Sequence, residues 1–384
     1  MDKLFFTDEH IMIRNMVREF ADTEITPVAR DLDEQGEFPT DLVNKMGELG
    51  LMGILIPEEY GGSGLDMVAF ATAIIELARA DASVAITMAA HTSLGSLPIL
   101  MFGSDEQKNT YLPKLATGEM LGAFGLTEPD AGSDAGATKT KAVRDGNEYV
   151  VNGGKIFITN AGKAGVLSFT SQVIENGKNL GIAAFSISTN TPGLEIGPKE
   201  KKMGWRASDT RQLFFKDMRI QASTMLGNPT NGFKTFLKTL TSGRVSIGAL
   251  SIGTALGAYE RALAYSTERI AFGKPINKFQ SVGFKLADMA TKIEASKLLV
   301  FHAAWMKDQG LDITKEAAMA KLFASETAME VTTEAIQIHG GYGYVKEYDV
   351  ERFFRDAKIL EIGEGTSEIQ RLIISREILK EIQI

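Results

Sequence analysis

The spacing of apolar residues changes twice along this chain, and the two changes divide it into three blocks. Across 7–29 the residues Ile11, Ile13, Met16, Val17 and Phe20 recur three and four apart, the period of an amphipathic helix. Thr7, three residues before His10, adds a weak helix-start signal. Gly61, Gly62, Ser63 and Gly64 interrupt the pattern, after which Ala-rich apolar stretches resume over 67–79 and 81–100. From about Gly122 to Ala222 the pattern is different: Asp145-Gly146, Asn152-Gly153, Asn176-Gly177 and Pro192-Gly193 read as turns between short runs at 149–151, 155–159, 166–170 and 181–187. Strands joined by tight turns, with no helices between them, predict an antiparallel sheet. After Gly232 helical spacing returns. Val282, Leu286, Met289 and Ile293 share one face, 317–338 forms another long segment, and 245–263 is apolar on nearly every side, as a helix buried between neighbours is. The expected fold is mixed α and β: an N-terminal helical domain over 1–120, a middle antiparallel β domain over 121–228 and a C-terminal helical bundle over 229–384.

Composition removes several function classes. The 384 residues are 44% hydrophobic and 23% charged, enough to bury a sizeable core. Acids outnumber bases 49 to 41 and no basic block follows a phosphate track, so nucleic acid is not an expected partner. The absence of Cys removes disulfides, thiolate nucleophiles and thiolate zinc sites together. Four histidines, His10, His91, His302 and His339, form no H-E-x-x-H motif, and no metal is expected. There is no P-loop, and Gly341-Tyr342-Gly343 lacks the third glycine of a dinucleotide fingerprint. The opening residues carry acids instead of a basic and apolar leader, and the stretch nearest to a membrane span, 245–263, contains Glu260 and Arg261. The expectation is a cytoplasmic protein with no targeting segment and no membrane span.

Three turns hold residues suited to a ligand. In 124–134, FGLTEPDAGSD, Thr127, Pro129, Gly132 and Ser133 make a compact turn whose N–H and hydroxyl donors suit a polar ring or a phosphate, or form an ordinary surface turn. Gln337-Ile338-His339-Gly340-Gly341 ends a helix with a glycine pair that also admits close backbone approach. In 361–370, EIGEGTSEIQ, Ser367 and Gln370 fit a capping box for a helix running from Glu368 toward Lys380. Glu364 then hangs in the preceding loop between two glycines. In solvent it is a surface acid; between apolar walls its pKa rises and it becomes a base able to remove a proton next to a carbonyl.

These motifs, in this order, resemble the acyl-CoA dehydrogenase family over essentially the whole chain. The matching stretches are LGAFGLTEPDAGSDAGATKTKA (121–142), NGGKIFITNA (152–161), MGWRASDTRQLFF (203–215), ERIAFGKPINKFQ (268–280), QIHGGYGYVKEYDVERFFRDAKI (337–359) and EGTSEIQR (364–371). The resemblance implies FAD, a CoA thioester and α,β-dehydrogenation. It assigns the catalytic base to Glu364, which takes the α-proton while the β-carbon passes hydride to the flavin. An alternative base position used in some relatives falls on Gly243, which cannot serve. Phe124, Leu126 and Thr127 match residues lining the flavin's pyrimidine side, and Phe157 and Thr159 match those near its dimethylbenzene side and N5. Ser133 matches a position touching both FAD and the CoA arm, and Arg244 and Gly365 match substrate contacts. Arg269, Phe272, Gln280, Gln337, Gly340 and Gly341 match residues reaching the ADP part of FAD held mainly by a neighbouring subunit, while Thr366 and Glu368 match adenosine and pyrophosphate contacts. A cofactor shared in this way implies at least a dimer, and the resemblance implies the family's homotetramer, a dimer of dimers.

The chain departs from the family pattern at Phe157, where many members have Trp, at Thr241, where an Asp often bonds the pantetheine arm, and at Gly363, where straight-chain enzymes commonly have Tyr. Losing that Tyr ring is expected to widen the pocket for branched acyl groups. The expected activity is dehydrogenation of a short-chain or branched short-chain acyl-CoA to the trans-2-enoyl-CoA, with electrons passed to an electron-transfer flavoprotein. The alternatives are a medium-chain, cyclic or dicarboxylic acyl-CoA, oxidase chemistry with O₂, and a CoA-binding helical module without redox activity.

Overall fold

The computed structural model describes residues 2–228 and 232–382, so the expected domain boundary at 229 lies outside the described residues. Helices α1 (Asp2–Phe5), α2 (Asp8–Phe20), α3 (Ala29–Gln35), α4 (Thr40–Glu48), α5 (Met67–Ala80), α6 (Ala82–Ala90), α7 (Leu97–Phe102) and α8 (Asp105–Thr117) come first. Strands β1 (Leu121–Gly125), β2 (Lys141–Asp145), β3 (Glu148–Thr159), β4 (Ala164–Glu175), β5 (Lys178–Ser188), β6 (Leu194–Lys199), β7 (Thr210–Gln221) and β8 (Met225–Leu226) follow. The chain then runs through α9 (Gly232–Glu268), a hairpin of β9 (Ile270–Ala271) and β10 (Lys274–Pro275), α10 (Gln280–Asp308), α11 (Thr314–His339), α12 (Val350–Lys358) and α13 (Ser367–Ile382).

The first helix start is stronger than its sequence suggests. Thr7 accepts from the His10 N–H and the His10 ring takes the Thr7 N–H at 3.0 Å, so an imidazole replaces the usual Glu or Gln of a capping box. Asp66 holds the other ring nitrogen at 2.9 Å. Every residue of α5 and α6 is buried, and α9 buries Val245, Ile247, Leu250, Ile252 and Ala255 against them. Glycine permits part of this contact. A Cβ on Gly257 would lie 2.4 Å from the Arg79 carbonyl oxygen and from the Phe353 ring, so α9 approaches α5 and α12 closely only without a side chain there. The run Ala82–Phe102, with a π-helical turn at His91–Ser96, is the described helix long and apolar enough to cross a membrane, in place of 245–263. Most of it is buried within the protein, where it packs as a core helix.

The sheet order is β6-β7-β3-β2-β4-β5-β8, with β1 beside β4. Most neighbours are antiparallel as expected, but β4 pairs parallel with both β1 and β2. The cause is topological: β3 returns antiparallel along one edge of β2, and the chain then places β4 on the other edge, in the direction of β2. Asn152-Gly153 is no turn. Strand β3 runs through it with a register shift after Val151, and Asn152 is tied to Asp217 by paired hydrogen bonds of 2.9 and 3.0 Å. A second shift between Lys155 and Ile158 holds Phe157 at φ +60°, a bulge that re-aims its side chain. Tyr149, Phe169, Phe185 and Phe215 fill a separate core over this sheet, with ring centroids 4.7 to 5.6 Å apart.

Candidate active site

Glu364 lies in the loop between α12 and α13 at φ +53°, followed by Gly365 at φ +97°. Left-handed backbone is uncommon for a residue with a side chain and costs about 1–3 kcal/mol, so something must hold it. Lys321 of α11 donates to the Gly365 carbonyl at 2.8 Å, and Gln370 of α13 donates to the Gly365 and Glu364 carbonyls at 2.9 and 3.3 Å. The helix that follows is capped one residue earlier than expected. Thr366 takes the Ile369 N–H on its hydroxyl and the Gln370 N–H on its carbonyl, because the Gln370 side chain is spent on the loop instead of on a Ser367 capping box.

This backbone aims the carboxylate into the protein. Oε2 is buried without a hydrogen-bond partner among the described residues, and a Cβ on Gly243 of α9 would lie only 2.0 Å from it. The missing side chain at 243 is therefore the space that Glu364 occupies. Leu94, on the π-helical turn, supplies an apolar wall 3.4 Å from the same point. Burial pushes the Glu364 pKa up to about 7, against the opposing pull of the Lys321 and Arg244 cations. Arg244 is itself buried; among the described residues its Nε has no partner and its guanidinium reaches only Thr241, at 3.5 Å. Burial lowers its pKa, and Glu364 opposes that shift. A buried cation with an open donor next to a buried, unpaired carboxylate suits a polar ligand with an acceptor at one end and an acidic C–H at the other.

Residues 124–127 run beside the bulge of β3. The Thr127 carbonyl accepts from the Ile156 N–H at 2.9 Å, and the buried Lys155 ammonium donates to the Leu126 carbonyl at 3.1 Å. Lys155 also reaches Glu128 at 2.7 Å, and Glu128 collects the Thr138 hydroxyl and the Lys139 and Thr140 N–H groups. The turn's own acid thus takes donors from outside 124–134, while within the turn the Glu128 and Ala131 N–H groups are spent on each other's carbonyls at 3.0 and 3.1 Å. Burial raises the Glu128 pKa, but Lys155 and these donors outweigh it and hold it at about 2; burial lowers Lys155 to about 8 despite Glu128. Phe124, Leu126, Thr127 and Thr159 are half-buried, Ser133 is exposed, and Phe157 is 63% exposed, an aromatic face presented to the outside beside the segment.

A second group lies at the far end of α9. Tyr265, Arg269, Ile338, His339, Gly340, Gly341 and Tyr342 line an open groove of about 490 Å³. Phe272, at the tip of the β9–β10 hairpin, is 95% exposed, and Gln337 and Gln280 are exposed nearby in sequence on α11 and α10. Gly243 and Glu268 are 25 residues apart on one helix, about 38 Å at 1.5 Å per residue.

The chain matches the acyl-CoA dehydrogenase N-terminal domain over residues 7–119, the middle domain over 123–218 and the C-terminal domain over 230–379. It belongs to the acyl-CoA dehydrogenase family. It is 54% identical to a probable acyl-CoA dehydrogenase, YngJ, of Bacillus subtilis over 376 residues, 97% of this chain and 99% of that protein. Butyryl-CoA dehydrogenase from Megasphaera elsdenii superposes with a TM-score of 0.94 at 43% identity, covering 97% of this chain and 98% of that one. A chain from a structure described as the electron transferring flavoprotein of Acidaminococcus fermentans superposes at 0.95 with 45% identity, again over 97% and 98%.

An acyl-CoA dehydrogenase uses FAD, and the residues present fit it: an exposed aromatic on a bulge next to a turn carrying Thr127, with polar atoms on Arg244 and Glu364 that have no partner among the described residues. Of the residues expected from sequence, Glu364, Gly365 and Arg244 are brought together, and 124–127 lies against β3 near Phe157. Thr366 and Glu368 sit at the start of α13, Glu368 exposed and its pKa lowered by hydrogen bonds, the first from its own backbone. Arg269, Phe272, Gln280, Gln337, Gly340 and Gly341 belong to the other end of α9. Sequence reading missed Lys321, Lys155 and Glu128. A lysine inside an otherwise Ala-rich helical stretch, and one between apolar strand positions, were the available signals.

Proposed function

We propose that this chain dehydrogenates short-chain or branched short-chain acyl-CoA thioesters to trans-2-enoyl-CoA, with Glu364 as the base. The observation that carries this reading is a half-buried carboxylate with one oxygen buried and unpaired among the described residues, poised near neutral pH and seated where Gly243 leaves room for it. Its pKa matches the task, because a base near the working pH is both ionised and strong enough to accept a proton. Glu364 removes the α-proton, the C–H electron pair becomes the new C=C bond, and the β-hydrogen departs with its pair. Bound FAD supplies the acceptor for that hydride. The backbone N–H of Glu364 donates to the thioester carbonyl and acidifies the α-carbon. Arg244 binds the CoA portion through the donor its own chain leaves open, and Ser133 and Gly365 complete the substrate contacts.

Phe124, Leu126, Thr127, Phe157 and Thr159 hold the ring system, with Thr366 and Glu368 at the adenosine and pyrophosphate. Arg269, Phe272, Gln280, Gln337, Gly340 and Gly341 serve a neighbouring subunit's FAD. The separation of about 38 Å along α9 supports this division, since one chain presents ligand-ready surfaces at both ends of one rod. The assembly we infer is a homotetramer of three-domain subunits, working in the cytoplasm. Electrons pass to an electron-transfer flavoprotein, a reading supported by the 45% identical chain named above.

The test is anaerobic titration of the purified flavoprotein with butyryl-, isovaleryl- and octanoyl-CoA while the visible flavin absorbance is followed. Bleaching by butyryl- or isovaleryl-CoA is expected; a spectrum unmoved by both overturns the substrate class. Glu364→Gln is expected to keep FAD and acyl-CoA binding and to lose at least 10³-fold in reductive rate, roughly the range of a general base. Near-normal reduction by that variant refutes the base.

A further inference from the structure

Lys321 is a fully buried lysine on α11, and its ammonium contacts the loop of the base instead of a carboxylate. A lysine is almost never fully buried without a charge partner, because desolvating an ammonium is costly. Its one hydrogen bond among the described residues is to the Gly365 carbonyl at 2.8 Å, the peptide next to Glu364. Resting on the assignment of Glu364 as the base, we propose that Lys321 is a positioning residue. It clamps the Gly365 carbonyl, which fixes the left-handed turn aiming Glu364 at Gly243, and it keeps a buried positive charge within electrostatic reach of the carboxylate.

Two features support this division of labour. First, Gln370 shares the Gly365 carbonyl at 2.9 Å, so the loop keeps one donor without Lys321 and a neutral replacement leaves the carbonyl satisfied. A hydrogen bond alone does not require a charge here; the charge is the part that Gln370 cannot supply. Second, the groups around the carboxylate are few. Arg244 faces it from α9 and Lys321 from α11; Lys321 in turn feels Glu361 on the loop and Glu326 on its own helix, and α13 contributes the exposed Glu368. Burial lowers the Lys321 pKa to about 8, with Glu364 foremost among the charges resisting that shift. The cation is therefore the dominant form at pH 7 and below, on the acid limb of the base.

The sign of the effect is fixed. Removing a nearby cation disfavours the carboxylate, so the pKa of Glu364 rises further and less of it is ionised at neutral pH. The experiment compares FAD-loaded wild type, Lys321→Met, Lys321→Gln and Glu364→Gln by stopped-flow flavin reduction with butyryl-CoA from pH 5.5 to about 9. FAD content and thermal midpoint are recorded for each. Lys321→Gln retains an amide donor for Gly365 but no charge, and it carries the test if Lys321→Met folds poorly. Both variants are expected to move the acid limb of the rate profile upward by about one pH unit and to lose roughly fivefold in rate at pH 7. A purely structural lysine would lower the midpoint or the FAD content and leave the limb in place. An unmoved limb in yellow, folded Lys321→Gln, beside an inert Glu364→Gln, overturns the proposal and leaves the base standing. Active Glu364→Gln removes the base and the proposal with it.

Discussion

Glu364 combines two costs in one residue, a left-handed backbone and a carboxylate with one oxygen buried and unpaired among the described residues, and its pH dependence follows from the second. Folding raises its pKa from 4.5 to about 7, so the folded state binds the proton more tightly than the unfolded state. That contribution to stability is fully present below pH 4.5 and is lost as pH rises through about 7. Glu364→Gln abolishes the titration. The variant is expected to gain on wild type in urea unfolding between pH 4.5 and 7, reaching at most about 3 kcal/mol at pH 8. A difference that does not grow with pH would show the carboxylate to be solvated. The neighbouring Gly363 has room for a side chain: its backbone lies outside the left-handed region, and a Cβ would meet the Ile359 carbonyl at an ordinary 3.4 Å. Gly363→Tyr is expected to fold and to shift kcat/KM from isovaleryl- toward butyryl-CoA by about tenfold or more. An unchanged ratio refutes the idea that this glycine widens the pocket.

At the scale of elements, α9 connects the halves of the site because its glycines let other elements touch it. Gly243 faces the base, and Gly257 faces the Arg79 carbonyl and the Phe353 ring. Gly257→Leu is expected to lower stability by about 1–3 kcal/mol through overpacking, read from the urea midpoint. Gly283 on α10 is the control, since its nearest neighbour to a Cβ is 3.9 Å away. Gly283→Ala is expected to stabilise by about 0.5–1 kcal/mol because only helix propensity changes. An equal response at both positions would show that close packing does not explain the glycines of α9.

Across the whole molecule, a buried ion network joins the three parts of the chain. Arg352 of α12 donates to Asp81, at the start of α6, at 2.6 Å. Asp356 takes the Trp205 N–H from the β part at 2.6 Å, and Arg355 binds Asp33 of α3 and the Met203 carbonyl. Burial and the Asp81 charge raise the Asp356 pKa to about 7, with Arg352 opposing. Arg352→Met leaves Asp81 and Asp356 buried without their cation and is expected to cost about 3–5 kcal/mol at pH 8. The loss should shrink toward pH 5, where Asp356 is protonated; a loss independent of pH would point to packing alone.

The order of helix, sheet and helix was legible because periods of 3.6 and 2 are local properties of the chain, and Glu364 was legible as an acid between glycines. Asn152-Gly153 misled because the same dipeptide serves a turn or a bulge, and the pairing of Asn152 with Asp217 decided for the bulge. Ser367 and Gln370 fit a capping box locally, yet Gln370 is taken by carbonyls of the preceding loop and Thr366 becomes the cap. The parallel placement of β4 depends on which edge of β2 stays open after β3 has paired. Sequence alone determined the residue types available for chemistry, the element pattern and the absence of thiol chemistry. Tertiary structure decided which of them act together: the enclosure of Glu364 needs Gly243 from α9, Leu94 from a π-turn and Lys321 from α11, all distant in sequence. Desolvation, which turns an ordinary acid into a base near pH 7, is a property of that enclosure and of no single segment.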